Sequence, residues 1–318
     1  MKNAVIITGI AGMLGSTLLK KYLKKNIIII GIDNLTSGKK KFIKKFLSKK
    51  NFYFFKHDLS KKKFPKKLNN TIRKFLIKEI WALAANSDIN SGIKNVEIDL
   101  HDTFLTTFYT LNNLKLYINS KTKIIFSSSS AIYGEKKKAI NEQSVSDGPR
   151  SNYGVMKSAS ELYIAYFSRT YNIHSYIYRF PNVIGDNLTH GVVYDLHKKL
   201  KSTSKFLQVL GNGQQQKPYS HVDEIINCMI YIKKRKFINK VNYFNIGTND
   251  KGIKVKEIVK ILQENFNKKK KIIYQKKIRG WIGDIPKYYY CTKKINKLGF
   301  FFKLSSKEAI EKVIKKLN

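Results

Sequence analysis

The chain is 318 residues long, enough to bury a large core as one α/β domain or two unequal ones, and no stretch approaches the ~20 apolar residues that a membrane-spanning helix needs. It opens MKNAVIITGI, one lysine and then a strand-like run into a glycine motif, so a cytoplasmic location is expected and an export signal is not; Cys228 and Cys291 lie far apart with no Cys or His at ligand spacing, so neither a disulfide nor a metal site is expected. The net charge of +41 comes almost wholly from lysine, in scattered KK and KKK runs that match no nucleic-acid motif, and it reads as compositional drift rather than as a nucleic-acid surface.

From residue 4 onward, short apolar runs alternate with amphipathic stretches. A strand at 4–8 leads straight into Gly9-Ile10-Ala11-Gly12-Met13-Leu14-Gly15 and a helix at 14–25. Glycine at this G-x-x-G-x-x-G spacing permits a tight turn, lets backbone amides approach a pyrophosphate and lets helix and strand pack closely, while the helix N-terminus favours negative charge. A strand at 27–32 follows and ends in Asp33, about 20 residues after the glycine turn, where a carboxylate accepts hydrogen bonds from an adenosine ribose and repels a 2′-phosphate. That selects NAD over NADP. After a helix expected at 39–48, a strand at 52–56 ends in His57-Asp58-Leu59, which sets Asp58 beside the adenine. The strand at 79–83 runs into Leu83-Ala84-Ala85-Asn86, small residues that let backbone pass close to the cofactor.

A helix at 97–118 precedes a strand at 123–127, which ends in the run Ser127-Ser128-Ser129-Ser130-Ala131-Ile132-Tyr133-Gly134. A serine there stands outside the carboxyl end of a strand, where ligands bind in open parallel sheets. The next helix, 152–171, carries Tyr153 and Lys157 four apart on one face. A free phenol has a pKa near 10, and a neighbouring ammonium and a positive nicotinamide would both favour the phenolate, making Tyr153 a plausible acid/base. Beyond a strand at 175–178 and Pro181 the pattern loosens, until a helix at 222–234 and a strand at 243–246 return to the sheet. The fold class expected is α/β: a Rossmann-type doubly wound parallel sheet over residues 1–180, joined by 220–248, with a smaller C-terminal α/β substrate-binding region within 181–318.

Several of these segments together resemble a known family. Thr8-Gly9…Gly12…Gly15, Asp33-Asn34-Leu35-Thr36-Ser37-Gly38, Leu83-Ala84-Ala85, the serine run, Tyr153…Lys157 and Arg179…Asn182 are similar to the extended short-chain dehydrogenase/reductase superfamily, in particular its NAD-dependent epimerase/dehydratase branch. The segments starting at His190, Val209 and Arg279 resemble UDP-glucose 4-epimerases, and the likeness runs nearly end to end. It implies a catalytic set of Ser129, Tyr153 and Lys157. It also implies an NAD site of Gly9, Gly12, Met13, Leu14 and Gly15 at the pyrophosphate, Asp33, Asn34, Asp58 and Leu59 at the adenosine, and Leu83, Ala84, Ala85, Tyr153, Lys157 and Pro181 toward the nicotinamide.

For the substrate, the resemblance implies a UDP-hexose held by Ser129, with Asn182 at the diphosphate. Lys217 falls where many relatives have a diphosphate-binding arginine, and Trp281 near a position often held by arginine, which leaves Arg279 as the other cation. Ala82 stands where relatives usually have histidine. The implied reaction is 4-epimerisation through a transient 4-keto sugar, in a homodimer joined through the helices at 97–118 and 152–171. Ser130-Ala131 stand where dehydratase relatives carry Asp-Glu, which argues against dehydration. Still open are N-acetyl and uronate sugars, a decarboxylase or reductase and, from another class, a non-catalytic NAD- or RNA-binding protein.

Overall fold

The computed structural model describes residues 1–317 except 137, 145 and 146. Strand and helix alternate through the first half: β1 (Asn3–Thr8), α1 (Met13–Tyr22), β2 (Ile28–Asp33), β3 (Phe52–Lys56), α2 (Lys66–Ile72), β4 (Leu76–Ala82), the short α3 (Ile89–Lys94) and α4 (Val96–Asp99), then α5 (Thr106–Leu114), β5 (Lys123–Ser129), α6 (Asn152–Thr170) and β6 (His174–Phe180). Shorter elements follow: β7 (Asn182–Ile184), α7 (Val192–Lys201), β8 (Phe206–Val209), β9 (Gln216–Lys217), β10 (Tyr219–His221), α8 (Val222–Ile232), β11 (Val241–Asn245), β12 (Ile253–Lys254), α9 (Val255–Asn265), β13 (Lys271–Tyr274), α10 (Lys293–Lys297) and α11 (Ser306–Ile314).

Seven strands pair in parallel in the order β11-β6-β5-β4-β1-β2-β3. Because both faces are covered, the strands read as nearly continuous apolar runs, and their period-two alternation divides the residues between two cores. Val5, Ile7, Trp81 and Ile125 pack with α1 and α8, while Ala4, Ile6, Ile80 and Ile124 pack with α2, α5 and α6. α8 and β11 thus return to the main sheet after an excursion of some forty residues from β6. A third core, with Leu196, Leu207, Ile258, Leu262 and Ile310, joins α7, α9, α11 and the short β-pairs beyond β6.

Two expected helices differ. The 39–48 segment forms two 3₁₀ turns, Lys40–Phe42 and Lys44–Phe46, around a single buried side chain, Ile43, an apolar face too small to offset helix nucleation among five lysines. The 97–118 helix is helical over most of its length, but a π turn at Leu100–Leu105 interrupts it and its last turn is 3₁₀. Just before the π turn, Asp99 is fully buried.

One polar group sits deep in the first core. Glu79 of β4 forms a buried ion pair with Lys233, which follows α8, and its other oxygen accepts from the Tyr22 hydroxyl at 2.5 Å and Trp81 Nε1 at 2.7 Å. Burial pushes the Glu79 carboxyl up, but the Lys233 charge and these hydrogen bonds outweigh it and hold the group below the usual range. Glu79→Ala therefore strands Lys233 and two donors, and a loss of about 3–5 kcal/mol is expected in urea denaturation; Glu79→Leu/Lys233→Met, which removes the lysine but still leaves Tyr22 and Trp81 without their acceptor, should recover only part of it. A cost below about 1 kcal/mol for the single change would contradict this account.

Candidate active site

A cleft of about 1230 Å³ opens where β1, β2, β4, β5 and β6 end, and α7, β8 and the loop around Trp281 wall its far side. Single-ligand pockets measure about 300–1,000 Å³, so this cleft has room for two bound molecules. At its floor Gly9 has φ +65°, and a Cβ there would lie 2.9 Å from Ala84 Cα; a Cβ on Gly15 would lie 2.1 Å from the Gly9 carbonyl oxygen. The Thr8 hydroxyl holds this close approach, accepting from the amides of Leu83 at 3.0 Å and Ala84 at 3.1 Å. α1 begins here with Gly12 as its N-cap, without a side-chain cap or an acidic residue in its first turn, so its leading amides are available to an anion.

Asp33 closes the neighbouring edge. Its Oδ2 accepts from the Ala11 amide at 2.9 Å and its Oδ1 from the Leu35 amide at 2.8 Å; burial raises its pKa and these two bonds oppose the rise. Gly38 lies so close that a Cβ would come within 2.8 Å of Oδ1. Glycine cradle, open helix terminus, acid and the small Ala84-Ala85 together fit an adenine dinucleotide with a free 2′-hydroxyl.

The reacting groups face this cradle. Ser129 ends β5, and its Oγ accepts from the Ala131 amide at 3.1 Å and interacts with the hydroxyl of Tyr153. Tyr153 lies in the first turn of α6, which Ser151 caps through the Gly154 amide at 3.2 Å. A Cβ on Gly154 would lie 2.6 Å from the Ala131 carbonyl oxygen, so glycine there lets α6 press against the serine turn. One helical turn on, Lys157 donates to the Ser127 carbonyl at 2.6 Å, with its ammonium 5.7 Å from the centre of the Tyr153 ring. Burial pulls Lys157 down to about 7, against the opposing charges of Glu161 and Asp99. Burial pushes Tyr153 above its usual value, and the Ser129 hydrogen bond opposes that.

Most of the expected site residues line this one cleft: Gly9, Gly12, Met13, Leu14, Gly15, Asp33, Asn34, Leu59, Leu83, Ala84, Ala85, Ser129, Tyr153, Lys157, Pro181, Asn182 and Lys217. Asp58 and Arg279 do not. Asp58 Oδ1 accepts from Ser60 N at 2.9 Å and Ser60 Oγ at 2.8 Å, capping its own loop, while its neighbours His57 and Leu59 reach the wall. Arg279 donates to Glu135 Oε2 at 2.7 Å and to the Asp284 carbonyl at 2.6 Å; the side chain of Asp284 in turn pairs with Lys217 at 2.5 Å. Sequence reasoning passed over Glu161, which continues the Tyr153, Lys157 spacing by one more turn. It accepts from Ser128 Oγ and from Arg179, whose Nε and Nη2 lie 3.0 and 2.6 Å from its oxygens. Among the described residues no cluster of three or more His, Cys, Asp or Glu side chains is placed to hold a metal ion, and no helix is long and apolar enough to cross a membrane.

A family model, the NAD dependent epimerase/dehydratase family, matches residues 5–247. A protein of Methanocaldococcus jannaschii named "Putative UDP-glucose 4-epimerase" is 28% identical, covering 98% of this chain and 97% of its own. Among solved structures, the chain superposes on UDP-glucose 4-epimerase of Thermotoga maritima in complex with UDP-glucose (TM-score 0.84, 24% identity, 99% and 98% covered). It also superposes on UDP-glucuronic acid 4-epimerase of Bacillus cereus in complex with UDP-glucuronic acid and NAD (TM-score 0.86, 22% identity, 99% and 100% covered).

The burial of Lys157 has a consequence for stability. Because its folded-state pKa, about 7, lies below that of the unfolded chain, the unfolded state holds a proton between those values that the folded state lacks, and the stability this group allows rises with pH across that window. In urea denaturation of ligand-free protein, the wild-type chain should gain on the order of 2 kcal/mol over Lys157→Met between pH 7 and pH 9. Parallel pH profiles would show that Lys157 does not carry a lowered pKa.

Proposed function

The chain belongs to the NAD dependent epimerase/dehydratase family, and from that premise we propose that it inverts C4 of a nucleotide-activated hexose, with UDP-glucose and UDP-galactose as the pair. The observation that carries this reading is the convergence of Ser129, Tyr153 and Lys157 beside the glycine cradle, at the carboxyl end of β5.

In this reading Tyr153 takes the proton of the sugar 4-hydroxyl, which Ser129 orients, and later returns it, so the phenol ends as it began. The bound nicotinamide supplies the hydride acceptor and donor between those two proton transfers. Lys157 stabilises the phenolate as it forms, and its bond to the Ser127 carbonyl fixes the ammonium one turn below the ring. A 4-keto sugar must turn over before its other face is reduced, so the hexose is held loosely and the remote diphosphate and uridine supply the binding energy. Asn182 and Lys217 face the diphosphate, Lys217 as a point charge set by Asp284, and Arg279 acts behind them by bracing the Asp284 loop. Asp33 and Asn34 hold the adenosine ribose, and Asp58 shapes the turn that brings Leu59 to the adenine. Residues 1–180 with 220–248 carry NAD, and most of 181–318 carries the substrate.

No carboxylate adjoins Ser129 in sequence, since Ser130 and Ala131 follow it, which supports epimerisation over dehydration. We further read the enzyme as a cytoplasmic homodimer joined through α5 and α6. On α6, Leu162 is 72% and Tyr166 60% exposed, and Tyr163 packs on Phe104 and Phe108 beside them, an aromatic surface suited to a second copy.

Proton NMR of the purified, NAD-loaded protein with UDP-galactose should show UDP-glucose forming, at a rate that falls about 10³-fold in Tyr153→Phe. If UDP-galactose, UDP-N-acetylglucosamine and UDP-glucuronate all stay unchanged, the proposal fails. Light scattering at micromolar concentration should return twice the 36.9 kDa of one chain, and a monomer mass would remove the dimer from the proposal.

A further inference from the structure

One face of the molecule sets exposed apolar side chains among lysines, and the proposed reaction does not use it. β8 and β13 pair in parallel, with Phe206 beside Lys271 and Gln208 beside Ile273. Leu207 and Val209 alternate with them and enter the third core, so Phe206, Gln208, Lys271 and Ile273 point outward. The chain after β13 folds back on the end of β8: a Cβ on Gly211 would lie 2.9 Å from the Ile278 carbonyl oxygen, and one on Gly280 would lie 3.3 Å from Leu210 Cβ. Phe206, Leu210, Ile273, Tyr274, Ile278 and Ile282 are all exposed there, Ile282 to 82%. Single exposed apolar residues are ordinary on a surface, but a group of them on one face marks a contact.

The charge of this face is one-sided. Lys205 precedes β8, Lys268 and Lys269 lead into β13, Lys271 begins it, and Lys276 and Lys277 follow it. All six are exposed, and among the described residues none is in an ion pair. Residues 196–222 and 265–283 contain no acid. Glu135 and Asp284, the carboxylates that meet the loop after β13, are already engaged, the first by Arg279 and the second by Lys217. Along the chain the lysine excess is scattered; here the fold gathers it around an apolar centre.

We propose that the β8–β13 face docks on an anionic lipid bilayer. Phe206, Ile273, Ile278 and Ile282 enter the boundary between headgroups and acyl chains, and the lysines, whose stems can lie along apolar surface, place their ammoniums among the headgroups. Each lysine held near such a surface strengthens binding about fivefold. The apolar content is what selects a bilayer over a polynucleotide. A phosphate backbone would engage the cations but offers the isoleucines nothing, whereas a bilayer takes them out of water. Leu210, Gly280 and Trp281 also line the cleft, so docking holds the cleft next to the bilayer surface.

Co-sedimentation of the full chain with vesicles tests this. The chain should pellet with vesicles of equal parts phosphatidylcholine and phosphatidylglycerol and stay in solution with phosphatidylcholine alone. Phe206→Ser/Ile273→Ser should weaken the partition about tenfold, and Lys276→Gln/Lys277→Gln by about tenfold or more. Lys61→Gln/Lys62→Gln removes the same charge from the exposed loop after β3 and should change the partition less than about twofold. No binding to the mixed vesicles overturns the proposal. So does a loss that follows net charge alone, equal in the two lysine variants and absent in the apolar one. An RNA oligonucleotide that binds more tightly than the vesicles, undiminished in Phe206→Ser/Ile273→Ser, would assign the face to a polynucleotide and overturn it as well. None of these measurements needs turnover, so the outcome is independent of the reaction proposed for the cleft.

Discussion

The cleft depends on one backbone contact, Gly9 against Ala84, tied by the Thr8 hydroxyl to the amides of Leu83 and Ala84. In a parallel sheet every strand ends on the same side, and β1 and β4 are hydrogen-bonded neighbours, so the turns leaving them must share the space above the sheet. Without a Cβ at Gly9 the two turns can touch, and without one at Gly15 the helix can start within van der Waals reach of the Gly9 carbonyl. That starting point directs the uncapped amides of α1 into the cleft rather than into solvent. It also brings the Ala11 amide to Asp33, so the acid at the end of β2 is positioned by the same turn that leaves the first amides of α1 open.

The charge of the whole molecule and the charge of the site follow different rules. Across the chain 62 basic side chains face 21 acidic ones, yet the cleft is lined by five of each, the acids being Asp33, Asp88, Asp102, Asp195 and Asp284. The lysine excess has therefore not entered the site. A strongly positive surface raises the local concentration of any anionic ligand, but it cannot choose among them. Inside the cleft the direction of each charge is set by individual pairings, and Lys217 with Asp284 is one: the lysine is fixed by its partner, which Arg279 braces in turn.

Much of this was legible because it is local. The glycine spacing, the acid at the end of β2 and the four-residue step from Tyr153 to Lys157 are set by turn and helix geometry, and each lines the cleft. Most of the parts that were not legible depend on distant partners. Arg279 reads as a free cation in sequence, yet the carboxylate it meets, Glu135, is 144 positions away. Asp58 has a partner two residues on, and a serine so placed gives no hint of whether the acid faces a ligand or caps its loop. At 39–48 the apolar residues have helical spacing, but whether a face is buried depends on what packs against it, and here only Ile43 is fully buried while Phe46 and Leu47 are partly covered. The burial of Asp99 escaped for the same reason, since it depends on Asn86 and Gly92 rather than on its immediate neighbours along the chain.

Along α6 the spacing continues past the two obvious residues. Ser151 caps the helix, Tyr153 and Lys157 follow, and Glu161 comes one turn later, where Arg179 of β6 and Ser128 of β5 both donate to it. Tyrosine, lysine and carboxylate thus stand in order on one helix face. Burial pulls Lys157 down to about 7, and the Glu161 and Asp99 charges oppose that fall without reversing it. Glu161, paired in turn with Arg179, ties the lysine of α6 to β6, so the charge of this helix face depends on the strand packed beneath it.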